Sequence, residues 1–154
     1  KHIILLDLDE WGNSIVLDDG LFLACESTLK QKAVRRKTFS SAFAGGEGFF
    51  NLGLKGSGVV CRESDCSREE LVEITLEDDV VKIDGNLAIA WSGSLDFTVE
   101  RAGKSLLGSA ASGEGLVNVY RGTGKVLLAP VGNQAMKPQQ VIEKEPVIVG
   151  DDDE

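Results

Sequence analysis

The side chains that could carry chemistry are few and scattered along this chain of 154 residues. The only histidine is His2, next to the first residue, so a histidine-based nucleophilic triad or a histidine metal site lacks its parts. The three cysteines, Cys25, Cys61 and Cys66, are an odd number. An odd set suits free thiols in a reducing compartment better than a disulfide framework.

Cys61 and Cys66 have four residues between them, and a zinc site or a disulfide there is an alternative to free thiols. Zinc would need two further ligands, and none stands near the pair in the sequence. We therefore expect two ordinary thiols on either side of a surface turn. We expect no metal and no cofactor.

Two glutamates, Glu47 and Glu114, stand between glycines in two similar segments of the chain. Paired carboxylates could act as acid and base on a glycoside. Flanking glycines, however, expose backbone N–H groups that a carboxylate can accept from, so each glutamate can fix its own loop. We expect structural loop carboxylates, no catalytic residue and no enzyme activity.

A basic cluster fills part of positions 30 to 37, where five of the sixteen basic residues occur without an acid. Its members are Lys30, Lys32, Arg35, Arg36 and Lys37. The formal net charge of −9 repels phosphate backbones, so general nucleic-acid binding is not expected. The cluster could bind a small anionic ligand, nucleic acid or an acidic partner, or it could be a solvated edge strand that lysines protect from pairing.

An internal repeat organises the elements that must position these side chains. Gly-Glu-Gly at 46–48 returns at 113–115, and Gly-x-Gly at 56–58 returns at 122–124. Between them lie short apolar strands, so we interpret each copy as a hairpin. We expect positive φ among the turn glycines, which are Gly20, Gly56, Gly85 and Gly122.

About ten short strands separated by turns, without a long helical period, predict an all-β sandwich or barrel. We expect one domain over residues 1–130, made of two pseudo-repeats at about 3–64 and 71–130, whose strands pass back and forth between two sheets. Ser67 and Glu70 have capping-box spacing within a polar surface connection over 61–70. Asp78 and Asp79 are expected to form a turn, and 131–154 a polar, acidic extension.

Together these motifs resemble the AIM24 family, named for altered mitochondrial inheritance and widespread in bacteria. The similarity runs from about Ile3 to Pro130. It is carried by Gly20-Leu21-Phe22-Leu23-Ala24, the two Gly-Glu-Gly segments with their Gly-x-Gly turns, and Ile83-Asp84-Gly85-Asn86-Leu87-Ala88-Ile89-Ala90. Family members are similar in fold to the tryptophan RNA-binding attenuation protein, a ring whose subunits join through sheet edges. The resemblance implies a double-stranded β-helix-like sandwich and supplies no catalytic motif.

Family members usually carry a further N-terminal repeat, so this chain looks like the last two units of three, with an open sheet edge. We therefore expect a non-enzymatic, self-associating β-domain that acts as an assembly or partner-docking scaffold. The alternative is a binding module for a small anionic ligand or nucleic acid, through the basic cluster. The sequence shows no membrane span and no signal peptide, so the expected location is cytoplasmic in a bacterium, or mitochondrial in a eukaryote.

Overall fold

A computed structural model describes residues 1–18, 20–35, 50–84, 87–101 and 116–130. These residues form β-strands, turns and two short 3-10 helices, and they include no α-helix, which confirms the all-β class. The strands are β1 (His2–Asp7), β2 (Ser14–Leu17), β3 (Phe22–Cys25), β4 (Lys30–Arg35), β5 (Phe50–Lys55), β6 (Val59–Ser64), β7 (Val72–Asp84), β8 (Ala88–Ser92), β9 (Asp96–Arg101) and β10 (Leu116–Leu128). The 3-10 helices span Leu8–Trp11 and Arg68–Glu70.

The strands form two antiparallel sheets. The small sheet has the order β1-β6-β3, and the large sheet has the order β4-β5-β2-β8-β10-β7, with β9 also paired to β10. From β1 to β6, three strands (β1, β3 and β6) lie in the small sheet and three (β2, β4 and β5) lie in the large sheet, and the chain changes sheet after β1, β2, β3 and β5. The expectation that strands pass between two sheets is therefore confirmed for this part of the chain.

The predicted hairpins are wrong. β2 and β3 lie in different sheets, as do β5 and β6, so the glycine turns at 20 and 56–58 are corners that carry the chain from one sheet to the other. Such corners still need unusual backbone angles, and the expected positive φ is confirmed at Gly20 (85°), Gly56 (133°) and Gly122 (116°). Gly85 lies outside the described residues.

The two longest strands also differ from expectation. β7 runs through Asp78 and Asp79 without turning, and β10 runs through Gly122-Thr123-Gly124. Where the two strands pair, the register shifts between Gly122 and Gly124, and Asp78 takes a φ of 51°. The Asp78 N–H donates to the Thr123 hydroxyl at 3.0 Å. A bulge therefore replaces both predicted turns, because the bulge keeps most of the long strand pair hydrogen-bonded.

The segment from Cys61 to Glu70 is less exposed than the predicted surface connection. β6 continues to Ser64 with alternating burial, and Arg62, Ser64 and Cys66 are buried. The capping box is confirmed, since the Glu70 carboxylate accepts the Ser67 N–H at 2.8 Å. All three cysteines are free thiols, as expected, although Cys66 is in the core and not on a surface turn.

The halves of the described chain meet where β2 pairs with β8. Ile15 faces Ser92, Val16 faces Trp91, and Leu17 faces Ala90. Ile15 and Leu17 belong to a core cluster with Leu6, Val60, Ile89 and Leu127, while Val16 and Trp91 belong to a second cluster with Tyr120 and Val126. One strand pair, called the joint below, thus supplies both cores, because successive side chains point to opposite faces.

Strand partners in the first half recur 66 positions later. Ala24 pairs with Cys61, and Ala90 pairs with Leu127. Ile15 pairs with Leu54, and Val81 pairs with Tyr120. Gln31 faces Leu54, and Phe97 faces Tyr120. The same offset therefore relates β2, β3 and β4 to the second half of β7, to β8 and to β9.

Arg62 connects β6 to the joint from inside the core. Its Nη1 donates to the Ile89 carbonyl, and its Nε donates to the Glu63 carbonyl at 3.1 Å. Its Nη2 is buried and has no hydrogen-bond partner among the described residues. Burial lowers the pKa of Arg62 from its ordinary value to about 10, and the attraction of Asp18 opposes this shift. The side chain therefore fills space while its charge is poorly compensated.

Alanine at Gly56 tests the corner between β5 and β6. A Cβ there would lie 3.0 Å from the Thr28 carbonyl oxygen, at a φ that side chains rarely adopt. We expect Gly56→Ala to lower the free energy of unfolding by at least about 1 kcal/mol in urea denaturation. Gly12→Asn is the control, since Gly12 is left-handed at φ 69° with open space around it. Equal stability of the two variants would contradict the corner geometry.

Methionine at Arg62 tests whether the buried charge stabilises the fold. The Ile89 carbonyl also accepts the Asp18 N–H at 3.1 Å, so Arg62→Met leaves that acceptor satisfied. We expect the free energy of unfolding to stay within about 1 kcal/mol of the wild type or to rise, because apolar packing replaces a poorly paired charge.

Two further measurements sharpen this test. Arg62→Ala should lose about 2 to 4 kcal/mol through the cavity it leaves. Because the pKa of Arg62 is lower in the folded chain, the unfolded chain holds the proton longer, and the wild type should gain stability relative to Arg62→Met as pH rises through about 10. A loss above about 2 kcal/mol in Arg62→Met near neutral pH would show that the Arg62–Ile89 bond outweighs its desolvation.

Candidate functional site

The first candidate surface is a groove of about 340 Å³ on the large sheet, called the lysine groove. Cross-strand pairing places Lys32 opposite Gly53, Gly53 opposite Val16, and Val16 opposite Trp91. Gly53 contributes no side chain to this row, and Val34 packs over it, since a Cβ on Gly53 would lie only 2.7 Å from Val34 Cγ2. Lys30, Lys55 and Phe97 also line the groove. The surface thus combines an apolar floor with lysines at one side.

The lysines of the groove repel one another. Lys30 and Lys55 lie directly opposite each other on β4 and β5, and like charges in that arrangement are destabilising. Within the described residues, none of the recorded ion pairs involves Lys30, Lys32 or Lys55. Asp96 lies at the same groove. A bound anion would offset the repulsion between the lysines.

An aromatic cluster supports the lysine groove, in which Trp91 and Phe97 line the floor and Tyr120 packs against both of them. The rings of Trp91, Phe97 and Tyr120 lie with centroids 5.0 to 5.2 Å apart. Trp91 and Tyr120 are buried, whereas Phe97 is half-buried. Aromatic contacts of this kind stabilise the packing of the floor through the apolar area that they bury and through the favourable arrangement of the rings.

The structure brings together only part of the predicted basic cluster. Lys30 and Lys32 lie two residues apart on β4 and line the same groove. Arg35 ends β4, but its side chain is outside the description, as are the whole residues Arg36 and Lys37. Glu47 and Glu114 also lie outside the described residues. The predicted roles of these five residues therefore stay predictions.

Lys55 is the groove residue that sequence reasoning missed. It stands 23 positions after Lys32 and reaches the groove only because β4 pairs with β5 in the register that sets Lys30 against Lys55. The sequence predicted both strands but carried no signal for their register. Trp91 and Phe97 were likewise not among the predicted site residues.

The second candidate surface is the outer face of the small sheet, called the outer face. Its side chains alternate with the buried Ile4, Leu6 and Val60. Ile3 is 69% exposed, Leu5 63% and Leu23 50%. Leu5 faces Cys61, and Cys61 faces Ala24, so these three residues form one row across the three strands, with Leu23 next to Ala24 at a register shift in β3. Adjacent exposed apolar side chains of this kind mark a contact surface more often than a single one does.

The corresponding positions of the second half are covered. Ile89, Ala90 and Leu127 stand 66 positions after Leu23, Ala24 and Cys61, and all three are fully buried. They pack against Ile15, Leu17 and other residues of the first half. The same part of the repeat is thus a buried contact in one half and an exposed face in the other.

Two strand edges accompany this difference. Among the described residues, β3 pairs only with β6, and β7 pairs only with β10. β8, which corresponds to β3, uses the equivalent edge to pair with β2. An unpaired edge presents backbone N–H and C=O groups that can pair with another chain.

No cluster of three histidine, cysteine or acidic side chains suited to a metal ion occurs in the described part of the chain. In the same part, no helix has the length and hydropathy needed to cross a membrane.

Comparison with known proteins shows similarity over most of the chain. A family model described as "Mitochondrial biogenesis AIM24" matches residues 1–131. An uncharacterised protein of Streptococcus pyogenes serotype M6 is 30% identical over 127 residues, which cover 82% of this chain and 49% of that protein. An X-ray crystal structure of a Streptococcus pyogenes protein is 30% identical with a TM-score of 0.64, over 85% of this chain and 55% of the other. The chain therefore spans about half the length of these relatives.

Proposed function

The chain belongs to the AIM24 family, and we propose that it is a non-enzymatic, self-associating β-domain that acts as an assembly or partner-docking scaffold. The single observation that carries this proposal is the exposed outer face of the small sheet, with Ile3, Leu5 and Leu23 in water. At the β3 and β6 positions of this face, the counterparts of Leu23 and Cys61 in the second half, Ile89 and Leu127, are buried against residues of the first half. An exposed apolar surface whose corresponding positions are buried in the other half is suited to bind a second copy of the chain.

The proposal includes an architecture of two pseudo-repeats in a double-stranded β-helix-like sandwich. The constant offset of 66 positions between strand partners supports this division. It also includes a likeness to the fold of the tryptophan RNA-binding attenuation protein, in which subunits join through sheet edges. Three free thiols suit a reducing compartment, so a bacterial cytoplasmic location is part of the proposal.

Burial of the outer face would supply enough free energy for association. Covering a Leu or Ile side chain stabilises by about 1.5 to 3 kcal/mol. Three such side chains, together with backbone pairing at an edge, can exceed the cost of immobilising two partners. The net charge of −9 opposes association at low salt and is screened near physiological salt.

Self-association is tested by light scattering coupled to size exclusion, across protein concentrations near physiological salt. We expect a mass above the 16.5 kDa monomer. A monomer at every concentration up to about 100 μM would remove the proposal, because an interface of standard size usually binds more tightly than that.

The outer face is tested by the double variant Leu5→Ser/Leu23→Ser. Both side chains are exposed in the monomer, so the stability of the fold should change little. The dissociation constant should rise at least about tenfold, because each 1.4 kcal/mol of binding free energy lost with the buried apolar area is a factor of ten. Val72→Ser is the matched control, since Val72 is 48% exposed and lies at the start of β7, away from the outer face. Equal weakening in both variants would argue that this face is not the contact.

A second candidate function follows from the lysine groove. Lys30, Lys32 and Lys55 converge over an apolar floor, and the groove volume of about 340 Å³ suits a small ligand. Lysine presents a compact positive charge that attracts phosphate, sulfate or carboxylate groups. The chain could therefore act as a binding module for a small anionic ligand, with nucleic acid disfavoured by the overall negative charge.

Binding of inorganic pyrophosphate and of a single-stranded oligonucleotide, followed as salt increases, tests this second function. If the groove binds pyrophosphate, affinity should fall as salt rises and should drop at least about tenfold in Lys30→Gln/Lys32→Gln/Lys55→Gln. Lys82→Gln is the control, because Lys82 is exposed but lies on β7. Binding that the triple variant leaves unchanged, or no binding at low salt, would exclude the groove as the site.

A further inference from the structure

We infer that β7 of one copy of the chain pairs in antiparallel fashion with β3 of a second copy, with residues 81–83 opposite residues 24–26. This inference rests on the proposed self-association and states where the two copies meet. It follows from the geometry of the joint between β2 and β8, which serves as a template within the chain.

The joint shows how one half receives the other. Three side-chain pairs, Ile15–Ser92, Val16–Trp91 and Leu17–Ala90, define its register. At its two ends, the Asp18 N–H donates to the Ile89 carbonyl at 3.1 Å, and the Gly93 N–H donates to the Ser14 carbonyl at 2.9 Å. The alternation of antiparallel pairs then makes Val16–Trp91 a hydrogen-bonded pair and the other two non-hydrogen-bonded pairs.

Moving each strand of the joint by 66 positions gives the edges that are unpaired among the described residues. β2 corresponds to the second half of β7, since Ile15 pairs with Leu54 and Val81, 66 positions later, pairs with Tyr120, which is 66 positions after Leu54. In the opposite direction, β8 corresponds to β3, which lies 66 positions earlier, since Ala90 pairs with Leu127 as Ala24 pairs with Cys61. The three rungs of the joint thereby become Val81–Glu26, Lys82–Cys25 and Ile83–Ala24.

Exposure differs between the paired and unpaired edges as this inference requires. Every residue of β8 is buried, whereas β3 has Leu23 and Ala24 exposed and its two end residues half-buried. In β2, Ile15, Val16 and Leu17 are at most 6% exposed. At the corresponding positions of β7, Val81 is half-buried and Lys82 exposed, while Ile83 is already buried at 6% exposure. Pairing of the two edges would bury side chains that are apolar at most of these positions.

Lys82 does not block the edge of β7. A lysine on an edge strand can prevent pairing when its ammonium extends beyond the strand. Here Lys82 Nζ lies 2.9 Å from the Glu100 carboxylate, and Glu100 is on β9, on the far side of β10 from β7. The side chain therefore crosses the sheet away from the open edge and leaves the backbone accessible.

The contact joins two different edges, so it is heterologous. Each copy offers its β3 edge to one neighbour and its β7 edge to another. Such contacts close into a ring if the rotation between copies permits, and otherwise extend into a chain. The outer face that the proposed function uses adjoins β3, so the same neighbour would cover both edge and face.

Cysteine cross-linking tests the register. Cys25 is native, and Lys82→Cys would place a second thiol opposite it, at the Cα separation of about 5.5 Å that is typical of a hydrogen-bonded pair and suited to a disulfide. We use the Lys82→Cys/Cys61→Ser variant of the full chain, because Cys61 is the other half-exposed thiol. Mild oxidation should give a covalent dimer and, because each copy carries a thiol on both edges, longer cross-linked species on a non-reducing gel. Adding Cys25→Ser should abolish that dimer.

Lys32→Cys/Cys61→Ser is the matched control, since Lys32 is an exposed lysine on another strand, and it should give no covalent dimer. Self-association by light scattering without the Cys25-dependent cross-link would overturn the inferred register and leave the proposed function standing. A cross-link that persists after Cys25→Ser would also overturn the register. A monomer in both measurements would remove the register and the proposed function together.

Discussion

The pairing of β2 with β8 is the constraint on which the rest of the described structure depends. Each strand is short, four and five residues, yet nearly every side chain in the pair is buried. Alternation along the strands sends Ile15 and Leu17 into one core cluster and Val16 into the other. Loss of this pairing would expose both clusters at once, so the two halves of the chain are stabilised by the same backbone contacts.

The lysine groove and the joint share residues. Val16 and Trp91 form one rung of the joint, and both also line the groove. An anion held by Lys30, Lys32 or Lys55 would therefore lie on top of the contact that unites the halves. Ligand binding and stability of the joint would be linked, since any ligand that binds only the folded chain stabilises it.

The first half covers part of the second half, while its own corresponding surface faces water. Leu23 and Ile89 stand at corresponding positions, yet Leu23 is half exposed and Ile89 is fully buried. Similar strands thus have different surroundings because β8 pairs with β2, whereas β3 has no partner on the equivalent edge among the described residues. The same situation occurs in repeat proteins, in which each unit contacts only its neighbours and terminal surfaces need a cover.

The sequence by itself determined the all-β class, the approximate positions of the strands, the glycines with positive φ and the capping box at Ser67. These are local properties: period-two alternation, the freedom of glycine and the reach of a Glu70 carboxylate act over a few residues. Only the tertiary structure decided that the glycine turns are corners, that β7 and β10 are continuous, that Arg62 is buried, and that Lys55 joins Lys30. Those outcomes depend on which strands pair and in which register, and a register is set by packing between residues far apart in the chain, where a one-residue slip would reverse every side chain.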